Sequence, residues 1–176
     1  SDKSNYIKWF FFDGISAIVP VLFHFYVYLQ TNSFATTGAV AATMGVGMAI
    51  TSVVVGKLSD RIGKHKILRL AALLTGATWL AAIFFAQPLA LYALSLFIGL
   101  FGMSLGMNVA GIFFNKVRGK KDTGELMIVR ETSLGIGRVL VFAVAIALAI
   151  LAPAYIFKVI FGLAALASAW FFIGNL

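Results

Sequence analysis

Six apolar stretches, at about 9–29, 34–55, 67–86, 89–114, 126–152 and 154–175, leave this chain almost no choice of fold. A helix of about 20 apolar residues crosses a hydrocarbon layer of about 30 Å and satisfies its own backbone hydrogen bonds, which lipid cannot do. Strands of a membrane barrel would instead alternate in hydropathy over ~10 residues, and these runs are continuous. The expected fold is therefore all-α and membrane-embedded, a single six-helix bundle spanning 1–176. Composition agrees, with 61% hydrophobic and only 11% charged residues, against roughly 45–50% apolar in soluble domains.

A net charge of +8 would suggest nucleic acid in a soluble protein, but here the bases segregate by connection. Lys3 and Lys8 precede the first helix. Lys57, Arg61, Lys64, Lys66 and Arg69 fill the second connection, and Lys116, Arg118, Lys120, Lys121 and Arg130 fill or flank the fourth. The first, third and fifth connections carry no charge. By the positive-inside rule both termini and the even connections are cytoplasmic, so the basic side meets membrane lipid and no nucleic acid. Lys158, near the outer end of the sixth helix, is an exception whose stem can snorkel to the interface. The expected location is the plasma (inner) membrane, as a multi-pass protein. Absence of cysteine excludes disulfides, thiolate metal sites and a cysteine nucleophile. The chain opens on Ser1 with no methionine, as a processed, tagged or excised chain would. Its first helix is too long, and too polar at Asp13 and His24, for a cleaved signal peptide.

Short outer turns alternate with longer basic inner ones, so the helices pair as three hairpins. In the second helix Gly38, Ala42, Gly45, Ala49, Ser52 and Gly56 recur every three or four residues and make one face of small side chains. Such a face admits another helix at close range. Trp9, Tyr26, Tyr28 and Tyr155 stand near helix ends, where an interfacial aromatic belt is expected.

The second connection carries a denser pattern. Residues 56–66 read Gly-x-Leu-x-Asp-Arg-x-Gly-Lys-x-Lys, which resembles the G-x-x-x-D-[RK]-x-G-[RK]-[RK] loop motif of the major facilitator superfamily. Six helices with both ends cytoplasmic resemble one half of such a transporter. The resemblance implies half of a facilitator fold, a 3+3 inverted repeat. It implies secondary active transport of a small solute by alternating access, with a second six-helix half or a second copy completing the unit. Gly56 and Gly63 would allow close approach and a tight turn, while Arg61, Lys64 and Lys66 would fix orientation. Asp60 would help latch the cytoplasmic side against the opposite half. The family's first halves often carry an arginine motif in the fourth helix, and its antiporters a Gly-Pro motif in the fifth. Residues 89–114 have no arginine and residues 126–151 no proline, which favours the C-terminal half and leaves the N-terminal half, or a dimerising six-helix protein, as alternatives.

Ionisable side chains at membrane depth cost about 3 kcal/mol or more on insertion scales and are candidate functional groups by default. Counting helix rise puts Arg138 about 7 Å and Asp13 about 5 Å inside the cytoplasmic boundary. With Glu131 seven residues before Arg138 and Arg130 beside it, a cluster of Asp13, Arg130, Glu131 and Arg138 is expected if the first and fifth helices are neighbours, as the resemblance implies. It would act as a staple, a gate or a substrate site, with Asp13 and Arg138 as the direct pair. Asp13, Pro20 and His24 share one face of the first helix. His24 is suited to carry a coupled proton, the alternative being a buried histidine bonded to a neighbour. Met103, Ser104, Met107, Asn108 and Gly111 form a strip in the fourth helix whose polar member, Asn108, would face a cavity.

Two other function classes compete. A six-helix membrane transferase of phospholipid synthesis needs closely spaced aspartates on a metal, and after Asp13 the next aspartate is Asp60, so no enzyme activity, metal or cofactor is implied. A non-transporting membrane scaffold is the other. Topology is testable at once in a chain without native cysteine. Single cysteines at positions 65 and 120 should react with impermeant maleimide from the cytoplasmic side, and those at 32 and 87 from outside; inverted labelling would overturn the orientation.

Overall fold

The computed structural model describes residues 2–118 and 122–173; the side chains of residues 2–5, Gly56 and Asp60 lie outside the described residues. No strand forms among the described residues. The helices are α1 (Asp2–Thr31), α2 (Phe34–Ile62), α3 (Lys64–Phe84), α4 (Pro88–Phe97), α5 (Met103–Val117), α6 (Thr123–Leu151) and α7 (Ile156–Ile173). A π-helical turn, Ile98–Gly102, joins α4 to α5 in one fourth span, and a 3-10 turn, Pro153–Tyr155, leads into α7. Among the described residues six helices are long and apolar enough to cross a membrane.

The helices outrun the apolar stretches at their basic ends, because hydropathy marks the hydrocarbon and not the end of the hydrogen-bond ladder. Where they stop, local chemistry stops them. Asn32 adopts φ 47°, a conformation asparagine tolerates better than most residues, and its N–H caps Tyr28 O at 2.7 Å. Ser33 then caps α2, its Oγ accepting from the Thr36 N–H at 3.2 Å. Pro88 opens α4, where a missing N–H costs nothing.

The first span packs along α6 and α7, the third along α7 and α5, and the second along α4 and the π turn. Two of these crossings are backbone-to-backbone. A methyl at Gly14 would strike the Leu134 carbonyl oxygen, and one at Gly137 the Phe11 carbonyl oxygen. At the second crossing Gly47 stands against Leu96 O and Gly99 against Met44 O. In all four cases the struck carbonyl belongs to the residue three positions before the partner glycine. Close packing of this kind does in lipid what the hydrophobic effect does in water. The second crossing also holds the π turn, since Thr51 Oγ1 donates to Leu100 O at 2.8 Å across the helices.

The small face expected to pack in the second helix does not pack within the chain. Gly38, Ala42, Gly45, Ala49 and Ser52 are exposed, and a methyl at Gly38 or Gly45 would meet nothing within 4 Å. The buried side is Val40, Met44, Gly47 and Thr51 instead. Gly56 belongs to the same small face, but its surroundings lie outside the described residues.

Aromatic side chains fill the two ends of the core. Phe23, Tyr26, Trp79 and Phe161 join α1, α3 and α7 at one end, with Trp79 and Phe161 stacked at 5.4 Å. At the other, Phe10 meets Phe113 edge-on at 4.8 Å and Trp9 meets Phe171 at 5.2 Å. Trp9 and Tyr26 are therefore core residues rather than belt residues, because each faces a neighbouring helix rather than lipid; Tyr155 is exposed.

The crossings make a clean prediction. Gly14→Ala, Gly137→Ala and Gly47→Ala should each destabilise the detergent-solubilised protein by about 1–3 kcal/mol, as overpacking does. Gly38→Ala and Gly45→Ala should leave its unfolding midpoint unchanged.

Candidate functional site

The dense charged segment is mostly helix. α2 continues through residues 56–62, and the break before α3 is a single residue, Gly63. Its φ of 97° and ψ of 134° are open to glycine and strained for a side chain. Its N–H returns to Ser59 O at 3.1 Å. The expected loop thus shrinks to one residue, because the positive φ reverses the chain while one hydrogen bond closes the helix. Arg61 and Lys66 are exposed, whereas Lys64 is half-buried. The Lys64 ammonium lies 3.4 Å from where a Gly111 methyl would stand, so its stem crosses α5 at a residue with no side chain. The side chain of Asp60, and with it the latch contact expected there, lies outside the described residues.

Directly beside Asp60, Ser59 makes a contact that the sequence did not announce. Ser59 Oγ donates to Asn108 Oδ1 at 2.8 Å, and Asn108 Nδ2 donates to Ser104 O at 2.8 Å. All three residues are buried. Asn108, expected to face a cavity, is committed to a clamp between the motif end of α2 and α5. The signal available in the sequence was a polar residue next to the motif aspartate, opposite a helix with an asparagine, Asn108, at membrane depth.

The intramembrane charges gather at the α1/α6 crossing. Asp13 precedes the crossing glycine Gly14 and Arg138 follows Gly137, and Asp13 lies in the field of both Arg130 and Arg138. The direct ion pair is another one: Arg130 Nη1 reaches Glu131 Oε1 at 2.5 Å. Asp13 and Arg138, expected as direct partners, do not form an ion pair. The guanidinium of Arg130 also lies 5.7 Å from the Phe10 ring and 5.8 Å from the Phe114 ring, a placement that holds a cation in an apolar setting. Asp13 is half-buried, while Glu131 and Arg138 are exposed at the surface of α6.

On α1, residues 13, 16, 20 and 24 lie along one face. His24 Nε2 and Ser16 Oγ are both buried and meet no hydrogen-bond partner among the described residues. Ser16 was not singled out from the sequence, and its position four residues before Pro20 was the available clue.

The clamp is measurable. In a double-mutant cycle, Ser59→Ala and Asn108→Ala should show a coupling of about 0.6–1.7 kcal/mol in unfolding, from the average to the largest value typical of hydrogen bonds between membrane helices.

Comparison with known proteins bears on the whole architecture. The family model described as Major Facilitator Superfamily matches residues 7–175. The search of curated proteins gives no match. A match over nearly the full length, on six membrane-spanning helices, establishes that the chain belongs to the Major Facilitator Superfamily, a family of membrane transporters.

Proposed function

We propose that this chain is one six-helix half of a secondary active transporter, moving a small solute by alternating access. The observation that carries this reading, beyond the family itself, is what α2 and α6 leave uncovered. Arg138 and Glu131 are exposed on a membrane-depth helix, where facing lipid would be costly. The small face of α2 is exposed too. Both faces suit contact with a second six-helix unit, or the water-filled cavity between two units. That unit is either the other half of a longer protein or a second copy. The missing fourth-helix arginine favours assigning this chain to the C-terminal half.

The pairing of spans supports an internal 3+3 repeat. First packs with fifth, second with fourth and third with sixth. Exchanging the first three spans with the last three turns the first two of these pairs into each other and the third into itself. The glycines obey the same exchange: Gly14 corresponds to Gly99 and Gly137 to Gly47, each against a carbonyl three residues before its partner. Repeats of this kind place solute sites near mid-depth between units.

Within this reading the cluster of Asp13, Arg130, Glu131 and Arg138 is a gate, and His24 carries the coupled proton. The motif residues Gly56, Asp60, Arg61, Gly63, Lys64 and Lys66 set the cytoplasmic closure, with Asn108 positioning them through Ser59. Both termini are cytoplasmic and the membrane is the plasma membrane. The test needs no known solute. Cysteines placed at positions 24 and 138 in the assembled transporter should react with impermeant maleimide from either side in turn. Asp60→Asn should keep abundance and shift the side-to-side ratio about five-fold, the effect of a contact of roughly 1 kcal/mol. Labelling from one side only, indifferent to Asp60→Asn, would favour the scaffold.

A further inference from the structure

The rim opposite the basic segments holds a cavity of about 420 Å³ between α1, α3 and the start of α7. Its walls include Tyr26, Ile83, Phe157 and Phe161, and its polar members include Gln30 and Lys158. Tyr26 packs at 5.0 Å from Phe157 and 5.3 Å from Phe161, so the aromatic wall is built into the core.

Lys158 stands here against two local rules. The positive-inside rule draws bases to the other rim, and the first turn of a helix, where Lys158 sits in α7, repels a cation. Nor do the described residues offer it a counter-charge: Asp13, Glu125 and Glu131 lie in the halves of α1 and α6 away from this rim, and Asp122 immediately precedes α6. An anion supplied from outside would balance Lys158.

We propose that this cavity binds an anionic phospholipid of the leaflet on that side. Lys158 and the Gln30 amide take the headgroup phosphate, and the upper part of one acyl chain lies along Ile83, Tyr26, Phe157 and Phe161. The volume suits this division. Ligand pockets of about 300–1,000 Å³ hold drug-sized molecules, so the cavity admits a headgroup, glycerol and the start of a chain but not a whole lipid. A cation and an amide donor above an apolar wall match a phosphate joined to hydrocarbon better than a free ion.

The experiment uses the protein in nanodiscs with photoactivatable phosphatidylglycerol carrying a diazirine near the top of its acyl chain. Peptides covering 26–30, 83–86 and 153–161 should be labelled. Lys158→Gln should lower that labelling about five-fold, the factor expected for one basic contact to an anionic surface, with the unfolding midpoint in lipid-free detergent unchanged. A phosphatidylcholine probe should label wild type only at the reduced level, and millimolar inorganic phosphate should not compete. Equal labelling by the two lipids, or labelling unaffected by Lys158→Gln, overturns the proposal. Competition by inorganic phosphate overturns it in favour of a free-anion site. Should Lys158→Gln lower the midpoint, Lys158→Arg decides: retained labelling supports the phosphate contact, and lost labelling overturns it.

Discussion

Everything in this bundle depends on how closely two helices can approach where no water exists to drive them together. In lipid, apolar side chains gain little by leaving one apolar surface for another, so association rests on van der Waals packing and on the few polar groups that find partners. Gly14 with Gly137, and Gly47 with Gly99, bring backbones into direct contact. Around the first crossing sit the intramembrane charges. Around the second sits the π turn with its Leu100 carbonyl held by Thr51. The unusual chemistry of the chain is therefore concentrated where its backbone is most tightly fixed.

The polar contacts arise from the same scarcity. Ser59, Asn108 and Ser104 satisfy one another in sequence across two helices, and Arg130 combines a carboxylate with two aromatic rings. The first reduces the cost of burying polar groups, and the second that of holding a cation against apolar rings. The scarcity is not everywhere met: His24 Nε2 and Ser16 Oγ, like Thr75 Oγ1 and Arg130 Nε, are buried and meet no hydrogen-bond partner among the described residues. A group left in that condition in a transporter is where a solute, a proton or a second unit has most to gain.

The spans were legible because hydropathy is a one-dimensional signal, and the family was legible in the segment from Gly56 to Lys66. The choice of packed face was not. Six small residues at helical spacing mark a face that another helix could approach, but not which helix does so. The chain packs through Gly47, which stands alone in its row, and leaves the conspicuous row outside. Asn108 shows the same limit. Its polarity indicated a partner at membrane depth, but whether that partner was a cavity or Ser59 depended on how α2 and α5 meet. Depth and the family resemblance together brought Asp13 and Arg138 toward one crossing, yet direct pairing turned on side-chain reach, and Glu131 lies nearer to Arg130.

A link of one residue has a mechanical consequence. α2 and α3 meet at Gly63 with no slack between them, so a tilt of α2 cannot be absorbed in a loop and must either swing α3 or turn the two dihedral angles of Gly63. Lys64, the first residue of α3, also lies across Gly111 of α5. The second, third and fourth spans thus meet at a joint one residue wide, where a lever and its fulcrum occupy adjacent positions in the chain.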